Sequence, residues 1–329
     1  MNIGFLTDVH ARSDTPQGRI DDFRTSLYTK LEECGQIWKE EGVEVIGFGG
    51  DMFDTPDPAT SVVYDIMHIL KSWQLPIIGI IGSHDHFGYQ VKTLKRTAIG
   101  LLEKAGLIEL IDEREGFQPW ISYPSSIDNT VVRFVGNPHT YWLDKDPHNF
   151  EKERIASEHD LQIQLVHGDL LDKAVIWEHV LVSQVHTASD LVLIGHYHPG
   201  WKNPIVLPKA DIEQLTPETT TFINPGSIAR LDNTGKHRMP RVCIINVKRD
   251  KQFTTKFREL KTAIPHPFKE KIEIEEEQPK DIEKLISLIE GTELSAIDIK
   301  SQLPKVAEQA GFSQEVVEKA FQLIEQAEN

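Results

Sequence analysis

The chain has 329 residues, enough for a large core and a small appendage, and its 39% apolar and 26% charged content is ordinary for a globular protein. No apolar run reaches the ~18 residues of a membrane span, and Asp8 interrupts the first apolar stretch too early for a secretory leader, so a cytoplasmic protein without membrane attachment is expected. A formal charge of −16 argues against a generic basic nucleic-acid binder, but residues 269–329 alone hold 15 acidic against 7 basic side chains, and bound divalent ions would offset part of the rest.

In chain order, short apolar runs at 3–6, 43–48, 77–81, 131–135, 162–166, 191–194, 220–223 and 242–247 read as strands. Between the first three, Phe23, Leu27, Leu31, Cys34 and Trp38 recur at helical spacing, as do Val62, Ile66, Ile69 and Leu70. This alternation predicts an α/β domain over residues 1–262. Ile264-Pro265-His266-Pro267 breaks the pattern and marks a boundary, with residues 263–329 forming a small α+β or helical appendage. Within it, residues 271–276 alternate like a strand, Asp281 can cap a helix carrying Ile282, Leu285, Ile286 and Ile289, and a last helix is expected from Ser313. Its stripe of Val317, Ala320, Phe321 and Ile324 needs a surface, either the chain's own core or a partner. Cys34 and Cys243 fall in a helix and a strand and read as buried free thiols of a reducing compartment.

Five segments follow strand-like runs and deliver His or Asp at their ends: Asp8-Val9-His10, Gly50-Asp51-Met52-Phe53-Asp54, Gly82-Ser83-His84-Asp85, His167-Gly168-Asp169 and Gly195-His196-Tyr197-His198. Ligands of open α/β sheets collect at strand carboxyl ends, so all five can converge. Asp8, Asp51, His10, His167, His196 and His198 offer carboxylates and imidazoles without a thiolate, a set suited to manganese, iron or zinc. Six donors are too many for one tetrahedral ion and suit two ions sharing a carboxylate, an arrangement that can activate water and stabilise the entering and leaving oxygens at phosphorus.

The order D-x-H, G-D-x-x-D, G-S-H-D, H-G-D, G-H-x-H resembles that of calcineurin-like metallophosphoesterases, whose fold is a sandwich of two β-sheets flanked by helices. A narrower resemblance is to the SbcD family of DNA repair nucleases. It is carried by Arg19-Ile20-Asp21-Asp22-Phe23, by Asn224-Pro225-Gly226-Ser227-Ile228-Ala229-Arg230, and by Pro267-Phe268 with Ile272-Glu273-Ile274, which is similar to the start of that family's cap domain. The resemblance spans roughly residues 1–290. It implies that Asp8, His10 and His198 hold one metal, that His167 and His196 hold a second, and that Asp51 bridges them. It makes His84 a general acid or transition-state donor, with Asp85 orienting it or holding a loop. It also implies two divalent ions, manganese first with iron or zinc as alternatives, a DNA phosphodiester substrate, and an SbcC-like coiled-coil ATPase partner. A homodimer is compatible with it. The family's asparagine ligand to the second metal is replaced here by Ser83, a shorter and poorer donor, with His86 close by as a further nitrogen.

Other residues admit plainer explanations. His68, His148, His159, His179, His186 and His237 read as structural, as does His139 in its loop, although the latter lies where it can approach the site. Asp54 and Asp169 are expected to fix loops. Lys236, His237, Arg238 and Arg241 form a basic cluster that reads first as a solvated turn; following Arg230, it is also a candidate contact for substrate phosphates through Arg230 and Arg238. Two competing functions remain: a phosphoesterase for a small monoester or cyclic nucleotide, and a scaffold that has lost metal chemistry, for which Ser83 is the only support.

Overall fold

Each of the eight apolar runs becomes a strand, and together with six further strands among the described residues they build two large sheets and one small one. In the first sheet β1 (Asn2–Leu6), β2 (Val45–Phe48), β3 (Ile77–Gly79) and β4 (Glu109–Leu110) run parallel, and the antiparallel pair β13 (Arg241–Val247) and β14 (Phe253–Glu259) extends it beyond β1. In the second, β6 (Val131–Asn137), β7 (Leu161–Gly168), β10 (Leu191–His196) and β12 (Thr219–Ile223) run parallel between antiparallel edges β5 (Trp120–Pro124) and β11 (Ile205–Pro208). The short strands β8 (Leu170–Leu171) and β9 (Val180–Leu181) pair beside them.

This computed structural model describes residues 1–88, 91–111, 119–127, 130–155, 160–209, 218–232 and 237–268. The chain divides into two compact units, residues 1–269 and 270–329. The strand expected at 271–276 and the helices expected from Asp281 and Ser313 lie outside the described residues.

The central strands are buried on both faces, which is why they read as continuous apolar runs. Ile3, Phe5, Val45, Ile78 and Ile80 of the first sheet pack against Val132, Phe134, Ile163, Leu165 and Leu193 of the second. The first sheet's other face lies under α1 (Phe23–Glu40), α2 (Thr60–Trp73) and α3 (Ala98–Lys104). Asp22 caps α1 by accepting from the Arg24 and Thr25 amides, and Phe23, Leu27, Leu31, Cys34 and Trp38 form its buried stripe, as their spacing predicts. The outer face of the second sheet packs Val166, Val192, Ile194 and Phe222 against Leu143, Phe150 and Trp201 from loops and short 3-10 turns. The result is a layered α/β sandwich. Both cysteines are free and buried, and burial pushes each thiol's pKa up, so neither is a reactive group.

The segment expected at the boundary belongs to the first unit. Phe268 bridges Arg19 antiparallel, the Ile20 amide donates to the Pro267 carbonyl at 2.9 Å, and Ala263 and Phe268 are buried. Among the described residues no helix is long and apolar enough to cross a membrane.

The inter-sheet layer makes one stability prediction. Phe134 is fully buried between the sheets. Phe134→Ala should lower the unfolding free energy by about 3–5 kcal/mol, measured by denaturant titration; a loss under about 1 kcal/mol would show that the layer repacks without a cavity.

Candidate metal centre

Two loops set the positions of the acidic residues. Leaving β1, the chain pairs with the loop leaving β2: the Asp8 amide donates to the Gly50 carbonyl, the Val9 and His10 amides to the Asp51 carbonyl, and the Ala11 amide to the Met52 carbonyl, all at 2.9–3.0 Å. The loop after β3 is tied to them by Asp85, whose carboxylate accepts from the Gly82, Asp51 and Met52 amides at 2.8, 2.9 and 3.2 Å. Glycine is required at position 82, because a Cβ there would collide with the Asp51 carboxylate. Asp8, His10, Asp51 and His196 adopt φ of 54°, 46°, 56° and 81°, four of the six non-glycine residues with positive φ among those described. Such conformations cost on the order of 1–3 kcal/mol each and collect at functional sites.

Side chains from the ends of β1, β2, β7 and β10 then meet. One ring nitrogen of His10, one of His198 and an Asp8 oxygen lie within 4.8 Å of one another, and so do donor atoms of Asp51, His167 and His196. The Nε2 atoms of His10 and His198 face each other at 2.9 Å, and Nδ1 of His196 faces Nε2 of His167 at 3.2 Å. His167 donates from Nδ1 to the Gly49 carbonyl at 2.7 Å, which orients the ring and turns Nε2 toward Asp51 Oδ2, 3.1 Å away. Asp51 Oδ2 is also 3.7 Å from His10 Nε2, so Asp51 stands between the two groups. Asp8 accepts from the Thr7 hydroxyl at 2.8 Å and from the His196 amide.

The charges explain why this cluster suits cations. Asp8, His10, Asp51 and His167 are buried. Burial opposes the Asp51 anion, yet the adjacent His167 holds its carboxyl well below the usual range. Burial likewise opposes the His167 and His10 imidazoliums, but Asp51, and for His10 also Asp54 and Asp8, outweigh it and push both pKa values up. His196 is driven far down by burial and then by His167 and His139, and His198 is lowered chiefly by burial. Protons thus supply part of the compensating charge around Asp8 and Asp51, in positions where facing lone pairs would equally accept metal. The donor set fits two divalent transition ions.

The remaining expected residues fall in different places. His84 is exposed. It donates from Nδ1 to the Asp54 carbonyl at 2.7 Å, rests edge-on against the His10 ring, and gives its amide to Asp51 Oδ1 at 2.8 Å. One of its ring nitrogens also lies within 4.8 Å of donor atoms of His10 and Asp51, a further group that could hold a cation. Of the two roles weighed for Asp85, the hydrogen bonds match loop-holding: the carboxylate is buried among backbone amides, and burial, then Asp51, raises its pKa to about 6. Ser83 donates its hydroxyl to Asp51 Oδ2 at 3.2 Å.

Arg230 requires a correction. It is buried and donates to the Arg238, Pro265 and Ile264 carbonyls, closing the segment beneath the site instead of presenting its charge to a substrate. Arg238 is half-buried and donates to the Ser227 carbonyl and hydroxyl at 2.6 and 2.9 Å, adjacent to the turn whose Ser227 amide binds the His198 carbonyl. Asp54 does more than fix a loop: Oδ1 lies 3.5 Å from His10 Nδ1 while its carbonyl holds His84.

Two residues of the neighbourhood were read otherwise or missed. His139 stacks on His196 with centroids 5.2 Å apart, and it groups with Asp144 and His196 within 4.8 Å. Burial and then the charge of His167 lower its pKa to about 4. His139 lies two residues beyond β6, so the strand-end signal that marks the other donors applies to it as well. Asp144 has no such signal; it reaches the site through a 3-10 turn, accepting from the Asp169 amide at 2.7 Å.

Because Asp85 ties the β3 loop to the Asp51 loop, Asp85→Ala should destabilise the fold by about 2–4 kcal/mol through unsatisfied amides. Metal binding, measured by calorimetry, should weaken with it; full stability together with unaltered binding would show that the loops hold without this carboxylate.

The family description calcineurin-like phosphoesterase matches residues 1–200. Among solved structures, the chain resembles the calcineurin-like phosphoesterase YfkN from Bacillus subtilis, at 16% identity and TM-score 0.48 over 79% of this chain and 90% of that one. It also resembles a dimetal phosphatase from Danio rerio, at 11% identity and TM-score 0.49 over 79% of this chain and 96% of that one. No curated protein sequence gives a significant match. With its family match covering residues 1–200 of 329, the chain belongs to the calcineurin-like phosphoesterases.

Proposed function

We propose that the chain is a two-metal phosphodiesterase acting on DNA, of the SbcD type, and that it works with an SbcC-like ATPase. The observation that carries the hydrolytic part is the position of Asp51: its carboxylate contributes to the His167 and His196 group and also lies 3.7 Å from His10, with exposed His84 alongside. In this reading Asp8, His10 and His198 hold one ion, His167, His196 and Ser83 the other, and Asp51 both. Bound divalent ions, manganese first, supply Lewis acidity and a water nucleophile of lowered pKa at the phosphorus.

The chain's own residues do the rest. Asp51 and Asp8 fix the spacing of the ligand groups through their paired loops. The His167 Nδ1 bond to Gly49 holds its Nε2 toward the site, where a metal ion would take the place of a proton. His84, oriented by the Asp54 carbonyl, offers Nε2 to the leaving oxygen, where it can place a proton. Support for DNA as substrate comes from the resemblance of residues 19–23 and 224–230 to the SbcD family. The second of these segments packs directly under the site: the Ile228 amide donates to the Thr7 carbonyl and the Ala229 amide to the Asp8 carbonyl, at 3.2 and 3.1 Å. Arg238, beside Ser227, is the remaining candidate for a substrate phosphate. The ATPase and a homodimer rest on the sequence resemblance alone. Hydrolysis of a small monoester or cyclic nucleotide is the second reading, favoured by the −16 charge, which opposes a polyanionic substrate.

The test strips the protein with chelator, reloads manganese, counts ions per chain and compares linear duplex DNA, single-stranded DNA and a nitrophenyl phosphodiester. Two ions per chain and metal-dependent DNA cleavage are expected. Cleavage of the model diester alone selects the small-substrate reading, and no bound metal defeats both. His84→Ala should reduce turnover ~10²–10⁴-fold with metal content unchanged; loss of metal would make His84 a ligand. Ser83→Asn should tighten the second ion, measured by titration, and an unchanged affinity would remove Ser83 from the ligand set.

A further inference from the structure

On the His196 side of the site, two loops expose an unusual amount of aromatic surface. Tyr141 and Trp142, after β6, are 55% and 66% exposed; Trp177 and Ile176, between β8 and β9, are 49% and 90% exposed. Three of the five large aromatic side chains counted as exposed among the described residues lie here, and a fourth, Phe87, follows His84 by three residues. Isolated exposed rings need no explanation, but a group of them at one rim marks a contact surface.

Both loops are fastened to the metal-ligand cluster. Trp177 Nε1 donates to Asp169 Oδ2 at 3.1 Å, and the same oxygen lies 3.8 Å from His196 Nε2. Asp144, in the first loop, accepts from the Asp169 amide, and His139, two residues before Tyr141, stacks on His196. A cation joins the rings: Lys145 Nζ is 3.8 Å from the Tyr141 centroid and 5.0 Å from that of Trp142, and it pairs at 3.9 Å with Glu178 of the second loop. Tyr141 meets Trp142 edge-to-face at 4.9 Å, and the Asn149 amide holds the Trp142 carbonyl at 2.6 Å. The rings are therefore held in place while their surfaces remain open.

Aromatic faces interleaved with a lysine beside a phosphate-cleaving centre match the chemistry by which unpaired nucleic-acid strands are held. Bases stack on rings whatever their identity, and a nearby cation answers the backbone phosphates. Paired bases hide their faces inside a duplex, and an aliphatic monoester has nothing to stack. A single base needs one or two rings, whereas three rings on two loops extend further along a strand. We propose that Tyr141, Trp142 and Trp177, with Lys145, form the platform on which the unpaired bases flanking the scissile phosphate of a DNA strand stack. This rests on the nuclease reading for its substrate and adds that the engaged strand is single-stranded at the rim.

The test measures binding by full-length protein in chelator, followed by anisotropy, using a 12-nucleotide oligothymidylate, an abasic strand of equal length, and thymidine monophosphate. Trp142→Ala, which removes a ring that meets Tyr141 and Lys145, should weaken oligothymidylate binding about 5- to 100-fold and shrink the preference for the base-bearing over the abasic strand by the same factor. Trp142→Phe should restore most of it, and Lys145→Met should weaken both strands alike. An unchanged preference in Trp142→Ala, or equal losses on both strands, overturns the platform. So does a monophosphate that binds wild type as tightly as the oligomer, because the rim would then hold one base only. Wild type that shows the base preference but cleaves no DNA with manganese would refute the nuclease reading and leave the platform standing.

Discussion

Two carboxylates, Asp8 and Asp51, are buried at 0% and 1% exposure, and the site is organised around compensating them. Removing an anion from water costs several kcal/mol unless charge and hydrogen bonds replace the lost solvent. Here the replacement comes from backbone amides and imidazoles. The His84 amide binds Asp51, the His196 amide binds Asp8, and His10, His167 and His198 surround both. No Lys or Arg takes part in these pairings, so the positive charge must come from protonated imidazoles or from bound cations. That requirement couples metal loading to the stability of the strand-end loops, because each ion replaces protons at the same donors.

The same requirement accounts for the backbone. Asp8, His10, Asp51 and His196 sit at positive φ, where a side chain is ordinarily disfavoured. These conformations turn the chain sharply at the strand ends, so that side chains from two different sheets aim inward. They are maintained by the amide ladder between the first two loops and by Asp85 bracing the third. Asp85 therefore acts at a distance from any substrate, by holding the loop that carries Asp51.

How much of this was legible follows from which features are local. Strands buried on both faces announce themselves as unbroken apolar runs, and all eight were readable. The edge strands were not: β14, Phe253–Glu259, alternates Phe with Thr, Lys, Arg and Glu, and β5 mixes Trp and Tyr with Ser and Pro, because an edge covers only one face and keeps polar residues on the other. Donors directly following a strand were visible for the same reason. His139 was discounted because it stands alone, without the second donor that marked the other segments. Asp144 was invisible because only tertiary packing brings its 3-10 turn to Asp169. Charge alone marks Arg230 as a phosphate contact, but its environment decides its role: the carbonyls of Arg238, Ile264 and Pro265 take its donors.

The acidic balance of the chain opposes a polyanionic substrate in general, but a phosphate bound at the site would respond first to the charge there. Exposed charges farther apart than about 8 Å are largely screened at physiological salt, so the formal −16 weighs less on a bound phosphate than the charge within the site. Within the site itself, two carboxylates and four imidazoles carry roughly −2 when the rings are neutral, and two divalent ions would reverse that to about +2. A phosphodiester would then meet a local field set by the ions, with Lys145, Arg238 and Arg12, which pairs with Asp54 beside His10, among the protein cations. Affinity for a strand must in that case depend less on salt-sensitive backbone contacts than in a basic nuclease. It must depend more on the site and on whatever non-ionic surface lies beside it, which on this molecule is the aromatic rim at Tyr141, Trp142 and Trp177.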